Sequence, residues 1–134
     1  MLSAAVVCMA LNIYFEARSE PLVGQLGTAH TVMNRMASPK YPDDACSVIY
    51  QHKQYSWYSD GKSDKPKDTT AYLEATILAQ RVLDGDTLDI TEGAMWYHAD
   101  YVEPYWADPQ HVEFVVKLGK HLFYRQHNYG ESNI

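Results

Sequence analysis

The sequence predicts an α+β fold, a helical body carrying a small antiparallel sheet on one side. Three observations lead there. Apolar and amphipathic stretches at helical spacing fill 2–37 and 69–83, short aromatic-rich alternating stretches lie at 54–58 and in the last third, and clusters of turn-forming residues separate them. A chain of 134 residues has the length of one domain, so a single unit, 1–134, is expected.

Residues 2–15 are apolar nearly all round, with Ser3 and Asn12 the polar exceptions before Glu16, as in a helix buried at the centre of a fold. Ser19-Glu20-Pro21 supplies an N-cap residue and an early proline. Leu22, Leu26, Ala29, Met33 and Met36 then repeat at 4-3-4-3 spacing, a second helix running to about Ala37 and stopping before Pro39. Pro39 to Pro42 make a turn, and Asp43 is placed to cap a short helix through Val48, Ile49 and Tyr50.

Residues 54–58 read as a short strand and 60–68 as a polar surface loop. Residues 69–83, with Tyr72, Ala75, Ala79 and Val82 on one face, form a third long helix ended by Asp84-Gly85-Asp86. Residues 94–98 read as a strand, and 112–118 with 121–125 as a hairpin turned at Gly119-Lys120.

Composition excludes several classes. Hydrophobic residues at 46% and charged residues at 21% rule out a disordered chain, and a net charge of -6 argues against nucleic acid as partner. No apolar run reaches the roughly 18 residues of a membrane span, and no basic cluster precedes the first apolar stretch as in a secretion signal, so the chain reads as mature or trimmed. Cys8 and Cys46 are too few for a metal cage. They fall on different predicted helices and either pair or stay free. His98, His111, His121 and His127 form no zinc-binding spacing, so neither metal nor cofactor is expected.

Glu16 is the residue with catalytic promise. It follows a buried apolar helix, and both that setting and the negative end of the helix dipole disfavour a charged carboxylate. A carboxyl group still protonated near neutral pH is what a general acid needs. The competing reading is an ordinary ion pair of Glu16 with Arg18 or Arg35.

Eleven tyrosines, with three Trp and three Phe, supply flat rings with polar edges that suit a wet, concave site. Tyr55, Ser56 and Trp57 on one strand, Trp96, Tyr97 and His98 on another, and Trp106 on the loop that follows are the candidate binding residues. Asn34 and Arg35, at the end of the second helix, read as structural capping residues rather than substrate contacts.

The segment Ala10-Leu11-Asn12-Ile13-Tyr14-Phe15-Glu16-Ala17-Arg18-Ser19-Glu20-Pro21, with Gly24-Gln25 and Val32-Met33-Asn34-Arg35, resembles the opening of the SleB-type cell-wall hydrolase family, which includes spore cortex-lytic enzymes and phage endolysins. The resemblance continues in order through Tyr41-Pro42, Cys46-Ser47-Val48-Ile49-Tyr50-Gln51, Gln54-Tyr55-Ser56-Trp57 with Asp60-Gly61, residues 93–98 and Gly119-Lys120-His121-Leu122-Phe123-Tyr124. It implies a lysozyme-like fold and cleavage of the MurNAc–GlcNAc bond of peptidoglycan, typically as a lytic transglycosylase.

The resemblance maps the catalytic acid/base onto Glu16 and a second motif glutamate onto Glu20. Ser19 stands where the family usually has glycine, and Lys53 and Ser59 stand where related sequences often carry cysteines beside the aromatic strand. Glu20 is read as structural, lending negative charge to the first turn of the second helix.

A hydrolytic muramidase would need a second carboxylate across the scissile bond, for which Glu20, Asp60, Glu92, Asp100 and Glu103 are the available acids. A non-catalytic glycan-binding module is the alternative from another class. The expected partner is the peptidoglycan glycan strand, met by a monomer acting on the cell wall after export, in the periplasm or on release by a phage.

Overall fold

A computed structural model describes residues 2–51 and 65–127. Four helices, α1 (Ala4–Ala17), α2 (Leu22–Met36), α3 (Ala45–Tyr50) and α4 (Thr69–Leu83), precede three strands, β1 (Trp96–Ala99), β2 (Glu113–Leu118) and β3 (His121–Arg125).

α1 is the centre of the molecule. Ser3 caps it by accepting from the Val6 amide at 3.2 Å, and Val6, Met9, Ala10, Ile13 and Tyr14 are buried against α2, α3 and α4. Met9, Ile13, Val32, Val48, Ile49, Ala79 and Val82 lie in one apolar core, which explains why the α1 sequence shows so little amphipathic contrast. A disulfide joins Cys8 of α1 to Cys46 of α3 across a Cα separation of 5.3 Å, closing the choice that the sequence leaves open.

Two caps differ from expectation. Pro21 occupies the N-cap position of α2 with no side-chain cap bond, so Ser19 does not cap. The α3 cap is Asp44 rather than Asp43, its carboxylate accepting from the Ser47 amide at 2.8 Å. α4 keeps its predicted bounds. Asp68 caps it, and the Tyr14 hydroxyl accepts from the Lys67 and Asp68 amides at 3.1 and 2.9 Å, fastening its start to α1.

The strand order is β1-β3-β2, antiparallel throughout, with an irregularity in β2 between Phe114 and Val116. β1 begins two residues later than expected, at Trp96. The hairpin turns at Gly119, whose φ of 59° is the left-handed conformation that glycine adopts freely. The predicted strand at 54–58 lies outside the described residues.

Where the sheet meets α2, a Cβ on Gly27 would stand 2.6 Å from the Phe123 ring. Glycine at that position lets the sheet approach the helix closely enough to put β1 beside the end of α1. Among the described residues, no helix is long and apolar enough to cross a membrane.

Candidate active site

Glu16 is the penultimate residue of α1 and is partly buried. The Tyr97 hydroxyl, from β1, donates to Glu16 Oε1 at 3.1 Å. Burial pushes the Glu16 carboxyl from 4.5 up to about 7, and the Tyr97 hydrogen bond opposes that rise without cancelling it.

Neither candidate cation pairs with Glu16. Arg18 lies over the Tyr14 ring at 4.6 Å, and Arg35 donates to the Met95 carbonyl at 2.7 Å with its guanidinium over Tyr41. Among the described residues Glu16 forms no ion pair, and its carboxyl keeps a large share of its proton near neutral pH.

β1 divides the candidate binding residues between two faces of the sheet, because alternate side chains point opposite ways. Tyr97 faces Glu16 together with Phe123 and His121, at ring distances of 5.5 and 5.2 Å. His98 faces away, stacked on Tyr124 at 5.3 Å with Trp106 edge-on at 5.7 Å. The Ala99 carbonyl, an acceptor only, fixes a proton on His98 Nδ1, so Nε2 accepts from the Tyr124 hydroxyl at 2.8 Å. Trp96, on that same outer side, lines a cleft of about 480 Å³ with Tyr41, Lys40 and His111. Tyr97 is thus brought to the acid, whereas Trp96, His98 and Trp106 are not. Tyr55, Ser56 and Trp57 lie outside the described residues.

Asn34 and Arg35 do not cap α2; the helix closes through the Ala37 amide on Met33. They reach across to the loop that feeds β1. Asn34 donates to Asp89 and to the Ala94 carbonyl, both at 2.9 Å, and Arg35 takes the neighbouring Met95 carbonyl. Asp89 also accepts from the Thr91 and Gly93 amides at 2.9 Å. Burial alone would raise the Asp89 carboxyl, but the bonds from Thr91, Asn34 and Gly93 outweigh it and hold the group below its usual value. This network ties the end of α2 to the segment that leads into β1, the strand carrying Tyr97.

Glu20 is a correction of position. Its carboxylate does not serve the first turn of α2; Oε1 accepts from the Lys120 amide in the β2–β3 turn at 2.7 Å and stands 3.6 Å from His121 Nδ1. The absence of zinc-binding spacing leaves His121 without a role in the sequence. Strand alternation from Phe123, which is paired with Tyr97, would have placed His121 on the same face.

Of the other acids, Asp100 is paired with Lys117 at 3.2 Å. Among the described residues, no carboxylate charge contributes to the Glu16 displacement. Asp60 lies outside the described residues. Ser19 sits outside the left-handed region, so this turn has no need of the glycine usual in the family.

The family model described as Cell Wall Hydrolase matches residues 19–124. The chain belongs to the cell wall hydrolase family. The match begins three residues after Glu16, so the case for that residue stands on its geometry and on the motif around it.

Among family relatives, the chain is 34% identical over 119 residues to the spore cortex-lytic enzyme of Halalkalibacterium halodurans and 30% identical over 119 residues to that of Bacillus subtilis. Each alignment covers 86% of this chain but only 33% and 35% of those proteins, so the chain spans about a third of their length. The catalytic domain of the Bacillus cereus SleB protein superposes with a TM-score of 0.69 at 26% identity, covering 93% of each chain. The catalytic domain of the germination-specific lytic transglycosylase SleB from Bacillus anthracis gives 0.72 at 24% identity, over 93% of this chain and 97% of that one, a likeness of fold. The lysozyme-like α+β architecture expected from the sequence is the one observed.

Proposed function

We propose that this chain cleaves peptidoglycan glycan strands between MurNAc and GlcNAc as a lytic transglycosylase, with Glu16 as its single acid and base. The carrying observation is the Glu16 carboxyl at the end of α1, raised by burial to about 7 and held by Tyr97. Such a group donates a proton to the glycosidic oxygen as the C–O bond breaks, and the resulting carboxylate accepts the proton of the sugar's C6 hydroxyl as that oxygen closes on C1. The proton given is regained. No water is consumed, and the product ends in 1,6-anhydro-MurNAc.

A one-carboxyl cycle agrees with the surroundings of Glu16, where no second carboxylate charge acts among the described residues. The names of the relatives and the family point to the same substrate class. In this reading Tyr55 and Trp57 supply rings for stacking on sugars and Ser56 a hydroxyl for hydrogen bonding, and Tyr97 serves the acid rather than the sugar. The chain works at the cell wall as a monomer without a cofactor. Release of soluble fragments from purified peptidoglycan by the wild-type chain, and none by Glu16→Gln, tests the reading; equal release by both would remove it, and release by neither would favour a binding module.

A further inference from the structure

Glu20 and His121 form a nearly closed pair behind Tyr97. Their side chains are 8% and 10% exposed. Glu20 Oε1 holds the Lys120 amide at 2.7 Å, and the turn is pressed onto it, since a Cβ on Gly119 would meet Oε1 at 3.0 Å and the Pro21 ring at 2.8 Å. His121, the next residue, packs its ring on Tyr97 at 5.2 Å, and Tyr97 donates to Glu16.

His121 Nδ1 is buried without a hydrogen-bond partner among the described residues, 3.6 Å from Glu20 Oε1. An orphan polar atom aimed at a carboxylate is costly to keep unless the arrangement is held for another reason. The charged and titratable groups acting on His121 are Glu20 from the α1–α2 turn and Asp100 and His98 from β1 and its end; burial keeps the imidazole below its usual value despite the two acids.

We propose that Glu20 and His121 are positioning residues for Glu16. Glu20 fixes the Lys120–His121 corner of the hairpin, His121 backs the Tyr97 ring, and Tyr97 then meets the carboxyl at hydrogen-bond distance. The inference rests on the reading of Glu16 as the acid for its importance, but not for its test. It assigns the second glutamate of the motif a task 100 residues away in sequence, on the sheet rather than on the helix it precedes.

The sign of one titration separates positioning from charge. Deleting a nearby negative charge lowers a carboxyl's pKa, whereas loosening a hydroxyl that donates to the carboxylate raises it. The experiment follows the Glu16 side-chain carboxyl by carbon NMR across pH in the wild type, Tyr97→Phe, Glu20→Ala, Glu20→Gln, His121→Leu and the Glu20→Ala/Tyr97→Phe double variant.

Tyr97→Phe should move the midpoint up by about half a pH unit. Glu20→Ala should move it up by part of that, and Glu20→Gln, which keeps an oxygen for the Lys120 amide, should restore the wild-type value. The double variant should match Tyr97→Phe alone. A folded Glu20→Ala with an unchanged or lowered midpoint, or one adding its full increment in the Tyr97→Phe background, would overturn the proposal. If Glu20→Ala does not fold, His121→Leu decides the matter: an upward shift supports the proposal and none overturns it. Activity of Glu16→Gln is a separate readout, so loss of the catalytic reading and loss of this one are told apart.

Discussion

Replacing Glu16 by glutamine should stabilise the chain at alkaline pH while abolishing cleavage. The wild-type carboxyl titrates at about 7 in the folded chain against an ordinary value of 4.5, so the folded state holds this proton more tightly than the unfolded state does. The stability that the group contributes is therefore complete below 4.5 and lost as pH rises through 7, where a charged carboxylate must be kept in a partly buried place. The displacement corresponds to up to about 3 kcal/mol.

Glutamine has nearly the same shape, still accepts from the Tyr97 hydroxyl and never ionises. At pH 8 Glu16→Gln should melt roughly 10 °C above the wild type, and near pH 4 the two curves should coincide. Cleavage should fall by at least about 100-fold at every pH, as expected on removal of a general acid. Calorimetry at the two pH values, beside fragment release, measures both. A variant no more stable at pH 8, or one whose cleavage falls by much less than that, would refute the reasoning that burial at this site stores a proton for catalysis.

Loss of the Cys8–Cys46 disulfide, which spans 38 residues, should cost about 4 kcal/mol on the chain-entropy estimate; melting with and without reductant checks this, and an unchanged midpoint would contradict it. Asp89→Ala should cost about 3 kcal/mol at neutral pH by freeing Asn34, Thr91 and Gly93, as read from urea unfolding. Because the folded Asp89 carboxyl is held below its ordinary 3.8, the wild type should lose this advantage as pH falls below that value and the variant should not. Treatment with a chelator should leave cleavage unchanged, and loss of activity restored by zinc would contradict the cofactor-free reading.

Periodicity and composition exposed much of this fold because the helices bury strongly patterned faces. The α4 stripe and the Gly119-Lys120 turn lie where the sequence puts them, and Glu16 was visible as an acid closing an apolar helix. What escaped were bonds between segments far apart in the chain. Asn34 and Arg35 look like helix-end residues, yet their partners are some 60 residues on, in a loop whose position depends on the assembled sheet. Trp96, His98 and Trp106 share an aromatic neighbourhood with Tyr97 in sequence, but strand alternation sends Trp96 and His98 to the opposite face, where Trp106 of the following loop packs on His98. Glu20 looks like part of a helix start because of its sequence neighbours, and only the folded hairpin reveals its acceptor role.

The central claim, one carboxyl group and no water, is tested most directly by digesting purified peptidoglycan in water enriched in heavy oxygen and analysing the fragments by mass spectrometry. The account predicts ends of 1,6-anhydro-MurNAc carrying no solvent oxygen. Reducing ends labelled with the heavy isotope would show that water attacks the sugar and that a second carboxylate completes the site.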